Sequence, residues 1–198
     1  MEPLIIVIVL VGLPSLLVMI WAFAIYNRFV RLRNHIRESW AGIRVELQRR
    51  YDLIPNLVET VRGYAAHERE TLGAVVERRN RALANDSSPV SQSADERALE
   101  SSLTRLLAIA EDYPELKADG HFRELHDELV NTEDRLAATR RFYNANVRDY
   151  SNLREQFPTS VIGSMGGFGP QSFFELSDER AAHPPDASFD RPGSDDRV

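Results

Sequence analysis

Hydrophobic and polar positions divide this chain into an uncharged opening, a long body with helical periodicity, and a closing stretch without a period. Residues 4–25 contain no Asp, Glu, Lys, Arg or His, and Ser15 is their one clearly polar side chain. A helix over this stretch reaches roughly 33 Å, enough to cross a hydrocarbon layer of about 30 Å. Leu4 and Tyr26 therefore bound a predicted transmembrane helix. Trp21 and Tyr26 fall near its end, where amphipathic rings favour the headgroup region. Pro14 removes one helical hydrogen bond and predicts a kink, eased by Gly12.

Charge asymmetry orients this helix. Glu2 precedes it, whereas Arg28, Arg31, Arg33 and Arg37 follow it. The positive-inside rule places the N-terminus outside and the remaining chain in the cytoplasm of a cell membrane. Ala22-Phe23-Ala24 has the form of an export cleavage site. The leader nevertheless lacks a basic start, and its apolar stretch exceeds the length of a signal core. A retained single-pass anchor is the expectation.

Behind the anchor, apolar residues recur at steps of three and four, the period of a helix with one buried face. Phe29, Leu32, Ile36, Trp40, Ile43 and Leu47 follow the span without an intervening Gly or Pro, predicting one helix that leaves the membrane and runs on. Pro55 interrupts this pattern, and Asp52 is a favourable N-cap. A chain reversal is predicted there, with a kinked continuous helix as the alternative. The next helix carries Val58, Val61, Ala65, Leu72, Val75, Val76, Arg79 and Leu83 on one face.

Turn residues occupy 85–89, after which Ser93 and Glu96 have the spacing of a capping box. The third helix then buries Leu99, Leu103, Leu106, Leu107 and Ala110 and stops before Pro114. In the last helix Phe122, Leu125, Leu129, Thr132, Leu136, Thr139, Tyr143, Asn146, Tyr150, Leu153 and Phe157 form a heptad seam, ended by Pro158. Thr132, Thr139 and Asn146 are polar seam positions that can fix register. Buried tyrosines such as Tyr143 and Tyr150 need partners for their hydroxyls. Arg79 and Glu133, charged residues within seams, are expected to pair across helices.

The predicted fold is all-α: an N-terminal transmembrane helix followed by an antiparallel up-and-down four-helix bundle with long helices. Residues 1–27 form the anchor and 28–158 the bundle. Residues 159–198 form a Gly/Pro-rich and acidic, largely disordered tail, in which 163–169 reads as a flexible connector.

Composition narrows the chemistry. The net charge of −6 argues against a general nucleic-acid partner. Without cysteine there is no thiolate zinc site, cysteine nucleophile or lipidated cysteine, and Lys117 is the sole lysine. His67-Glu68 opens like a zincin motif, but Thr71 stands where the second histidine belongs. The residues three before His67, His121 and His126 are Tyr64, Ala118 and Arg123, so no Glu-x-x-His pair exists for a di-iron site. No phosphate-binding loop precedes a helix. No catalytic residue, metal ligand, cofactor or small-molecule substrate is expected. The alternative is a metal-dependent enzyme or metal-binding protein acting through His67 or His126.

Several motifs fall together. Arg49-Arg50-Tyr51-Asp52-Leu53-Ile54-Pro55-Asn56-Leu57-Val58-Glu59-Thr60-Val61, then Gly63-Tyr64 and His67-Glu68, resemble the signature of the LemA family. Tyr26-Asn27, Trp40, Tyr113-Pro114-Glu115-Leu116-Lys117, Arg140-Arg141-Phe142-Tyr143-Asn144 and Phe157-Pro158 extend the resemblance over 26–158. Departures occur at Arg44, Asp134 and Ser151. The resemblance implies a bacterial family with an N-terminal anchor, a helical bundle and no established enzymatic activity. It has relatives associated with magnetosome membranes. The expected function is a membrane-tethered scaffold or adaptor whose partners are the lipid bilayer and either an unidentified membrane protein or another copy of itself. Asp52, Pro55, Asn56 and Glu59, with Arg140, Arg141 and Asn144, are the candidate interaction surface.

Overall fold

The computed structural model describes residues 2–85 and 88–176, and among these every regular element is helical. The elements are α1 (Glu2–Tyr64), α2 (Arg69–Ala84), α3 (Pro89–Glu111), α4 (Pro114–Ala118), α5 (Gly120–Glu155) and α6 (Thr159–Met165). At 63 residues, α1 extends for about 95 Å. Its first part is long and apolar enough to cross a membrane, and none of the most apolar window is buried among the described residues. From Phe29 onward the same helix enters the core.

α5 returns antiparallel along α1. Phe29 meets Tyr150 edge-on, Trp40 meets Tyr143, and the Tyr64 hydroxyl donates to Asp119 at the far end. α2 and α3 form a hairpin, with α2 against α1. The seams predicted from spacing supply most of one continuous core: Phe29, Ile36, Ile43 and Leu47 from α1, Leu72 and Val75 from α2, Leu99 and Leu106 from α3, Leu129 and Leu136 from α5. Of the polar seam residues, Asn146 reaches across to Ser39 Oγ of α1 at 3.3 Å, while the two threonines bond within α5. The hydroxyls of Thr132 and Thr139 donate to the carbonyls of Glu128 and Arg135, each at 2.8 Å.

The predicted reversal at Pro55 does not occur; α1 continues through it as one helix, and the chain turns at 65–68 instead. Pro55 has no N–H to give to the carbonyl of Tyr51, one turn earlier. Arg79 Nε, reaching over from α2, donates to that carbonyl at 3.1 Å. Asp52 does not cap a new helix; its carboxylate accepts from Gln48 Nε2 at 2.8 Å within the same one. A tertiary contact thus replaces the missing helical bond.

α3 also begins earlier than the Ser93 capping box predicts. Ser88 is the N-cap, its hydroxyl accepting from the Ser91 N–H at 3.2 Å, and Pro89 occupies the first turn. Proline at that position needs no donor and has its φ already set, so the earlier start prevails. Ser93 and Glu96 are consequently buried inside the helix. Further along, Leu83 is exposed and Ala82 takes its expected place in the core. Phe157, assigned to the last seam position, is 85% exposed because α5 ends at Glu155. The Thr159 hydroxyl donates to the Leu153 carbonyl there, and the chain turns into α6.

The segment expected as connector and start of the tail packs on the bundle over the residues described, through Leu176. α6 lies against α1, where a Cβ on Gly163 would come within 3.0 Å of the Phe29 ring. Gly167, at φ +68°, then turns the chain back. Residues 168–176 run along α5 as a strap, burying Phe168, Phe174 and Leu176. Residues 177–198, the acidic end assigned to a disordered tail, lie outside the described residues.

Candidate functional site

The most polar part of the interior is built around Arg50 and Glu96, which are 1% and 0% exposed. Arg50 lies on the core face of α1, one residue before Tyr51, and Glu96 sits in the second turn of α3. Arg50 Nη1 donates to Glu96 Oε2 at 3.2 Å. The other carboxylate oxygen accepts from the Tyr51 hydroxyl and, at 2.9 Å, from Gln92 Nε2. Gln92 also reaches the Ala82 carbonyl at 3.1 Å, tying α2 to the group. On the other side, Arg50 Nε lies 2.8 Å from Glu133 Oε1 of α5. That nitrogen has no aligned hydrogen-bond acceptor, so the contact with Glu133 is an ion pair. Four helices are therefore joined through one guanidinium and its neighbours.

Burial governs the proton affinities here. Desolvation pushes the Glu96 and Glu133 carboxyls above their usual range, against the opposing pull of Arg50. Desolvation, with the Glu96 charge, pushes the Tyr51 hydroxyl far up, so it stays protonated and donates. Glu133 was legible as a charged seam residue. Arg50 and Glu96 were not, because one stands in an Arg-Arg pair and the other has capping-box spacing. The available signal was register: Arg50 lies three residues past Leu47 and four before Ile54, on the apolar stripe.

A cavity of about 270 Å³ backs onto this network, lined by Trp40, Leu47, Tyr51, Ala82, Leu83 and Gln92 among others. Tyr51 and Gln92 border it, but their polar ends are engaged with Glu96 and with each other. No group of three or more His, Asp or Glu side chains placed to hold a metal occurs among the described residues.

The candidate surface residues separate into two places. Asp52, Pro55, Asn56 and Glu59 are all exposed and form a stripe along one face of α1. Arg140, Arg141 and Asn144 lie on α5, level with Trp40 through the neighbouring Tyr143. The Asp52 stripe instead lies between the levels of the Arg49–Glu128 and Tyr64–Asp119 contacts. The two sets do not converge. Arg141 is exposed and Arg140 half-buried. Asn144 is occupied by the strap: its Nδ2 donates to the Phe174 carbonyl and its Oδ1 accepts from the Phe174 N–H, each at 3.0 Å. Leu4 and Tyr26, the predicted span boundaries, both lie within α1.

The tyrosines of the last seam hold the same strap. Tyr150 donates to the Gly169 carbonyl at 2.7 Å and Tyr143 to the Ser172 carbonyl at 2.8 Å. Arg154 Nε adds a bond to the Phe168 carbonyl at 3.2 Å. The sequence demanded partners for these hydroxyls without revealing them. They are backbone groups of a segment that its glycines disguise as linker.

Known proteins resemble this chain over most of its length. The chain is 24% identical over 174 residues to magnetosome protein MamQ of Magnetospirillum gryphiswaldense, an alignment covering 75% of this chain and 64% of the relative. It is 23% identical over 175 residues to magnetosome protein MamQ 2 of Paramagnetospirillum magneticum, covering 76% and 64%. It is 24% identical over 152 residues to protein LemA of Metamycoplasma hominis, covering 77% and 69%. The chain thus spans less than two thirds of the MamQ relatives' length. The family model described as LemA family matches residues 39–189, which include the Arg50–Glu96–Glu133 network and the strap, and the chain belongs to that family.

Proposed function

We propose that this chain is a membrane-anchored helical scaffold or adaptor that performs no catalysis. The observation that carries this reading is α1 itself. One helix carries the uncharged stretch 4–25 and further along forms a wall of the core, so the anchor and the folded body share one continuous helix. An apolar surface of that length left in water is strongly unfavourable, and a bilayer is the environment that removes it. The network around Arg50 favours a structural rather than chemical role, because its donors and acceptors meet one another. The names of the MamQ relatives, which place them with magnetosomes, support a role at a membrane.

The arginines after the anchor favour an orientation with the body in the cytoplasm. The exposed stripe of Asp52, Pro55, Asn56 and Glu59, and separately Arg141, offer two surfaces to a membrane protein or a second copy. Alkaline-carbonate extraction of native membranes tests the anchor: the chain should stay in the pellet, and full release would defeat the proposal. Crosslinking in those membranes tests the adaptor role. Glu59→Arg and Arg141→Glu should each reduce recovery of a captured partner, and undiminished recovery from both removes both surfaces.

A further inference from the structure

The strongest uncharged exposed patch outside the anchor is the turn into α6 and α6 itself. No Asp, Glu, Lys, Arg or His occurs from residue 156 to 174, in a chain that is 27% charged. Within that run the face of α6 carrying Thr159 and Gly163 is buried, while Phe157, Val161 and Met165 are 85%, 47% and 82% exposed. Surface helices ordinarily place charge on the side away from the core. This one places apolar side chains there.

Position explains what covers them. α6 packs where the uncharged part of α1 ends: Gly163 sits on Phe29, and Tyr26 meets Phe168 edge-on at 5.3 Å. Ile162, Met165 and Gly166 line, with Ala22, Phe23 and Tyr26, an open and almost wholly apolar groove of about 340 Å³. Ala22 and Phe23 belong to the stretch that crosses the bilayer, so Met165 stands at the same height as the last turns of the anchor. Just beyond, Arg28 and Arg31 are exposed at headgroup level, and the Arg33 guanidinium lies over the Phe168 ring, 5.1 Å from its centre. Basic side chains at that height suit an anionic lipid surface.

Resting on the membrane-anchored reading above, we infer that α6 and Phe157 form a second membrane contact, lying in the bilayer interface beside the anchor with Phe157, Val161 and Met165 among the lipid chains. The continuity of the groove with the lipid-facing surface of α1 selects lipid over a second copy of the chain. Interfacial helices bury one apolar face at the boundary of headgroups and chains, and Phe157, Val161 and Met165 supply such a face here. The contact would fix how the helical body stands on the membrane.

The absence of cysteine permits single-cysteine variants without background. Phe157→Cys, Met165→Cys, Leu17→Cys within the anchor and Val130→Cys on the exposed middle of α5 are each labelled with an environment-sensitive fluorophore. The full chain is reconstituted into vesicles of equal parts phosphatidylcholine and phosphatidylglycerol. Quenching is read with lipid carrying a doxyl group near the headgroup, with lipid carrying it near the chain terminus, and with aqueous iodide. The expected result is loss of emission at 157 and 165 with the shallow doxyl lipid and none with iodide, loss at 17 with the deep lipid, and loss at 130 with iodide. Iodide quenching at 157 and 165 while 17 remains lipid-quenched overturns the second contact and leaves the anchor standing. Protection of 157 and 165 from both quenchers, with disulfide-linked dimers of Met165→Cys on oxidation, overturns it in favour of a second copy. Iodide quenching at 17 removes the anchor and this contact together.

Discussion

The guanidinium of Arg79 donates to the backbone carbonyl of Tyr51 at 3.1 Å, and that carbonyl is the one Pro55 leaves without its helical donor. The bond links α2 to α1 at the point where proline would otherwise weaken a helix that joins anchor to core. The chain reversal comes later, since α1 ends nine residues beyond Pro55, at Tyr64.

If Arg79 stands in for the missing amide, its value depends on the proline. Arg79→Met should lower stability by about 1–2 kcal/mol, the range of a partly exposed hydrogen bond from a charged donor. In a Pro55→Ala background, where residue 55 can donate to Tyr51, the same substitution should cost clearly less. Thermal melts of the full chain in detergent, followed by circular dichroism, give the cycle. Equal losses in both backgrounds would dissociate the two residues.

The buried pair is more sensitive. Arg50→Met leaves Glu96 without its cation, and removal of one member of a buried pair costs about 3–5 kcal/mol. Adding Glu96→Gln to that variant neutralises the stranded carboxylate and should restore part of the loss. Denaturant titration measures both. A double variant as weak as the sum of the singles contradicts the coupling.

Acid titration follows from the same burial. Glu96 and Glu133 hold protons in the folded chain at pH values where the unfolded chain has lost them. The unfolded state therefore binds fewer protons between 4.5 and the raised folded values, and stability falls as pH rises through that window. Asp119 acts with the opposite sign and lower down. Its bond from the Phe122 N–H holds its carboxyl below 3.8, and its contribution is lost as pH falls through the lowered value. Glu133→Gln should flatten the fall above 4.5. A melting temperature that climbs with pH through that interval in the parent chain would reverse the assignment.

Asn144 holds the strap by a donor and an acceptor at once. Asn144→Leu should release the Phe174 backbone, at about 0.5–1.5 kcal/mol for each hydrogen bond lost. Hydrogen exchange should accelerate in 168–176 before it does in α3. Gly163→Val, driven against the Phe29 ring, should loosen α6 in the same assay. Unchanged protection of 159–176 in both variants would show that neither contact holds the segment.

Helical class, the uncharged opening and most core positions were legible in the sequence, because the burial face of a helix is written in local spacing. Leu99 and Leu136 need no knowledge of each other to be placed on apolar stripes. Family membership was legible too, through the run around Tyr51 and Pro55. The path of α1 past Pro55, the burial of Arg50 with Glu96, and the strap on Tyr143, Asn144 and Tyr150 were not. Each depends on groups far apart along the chain, and their worth exists only once both are held together and shielded from water. Spacing decides which side of a helix faces inward; tertiary packing alone decides which polar group it meets there.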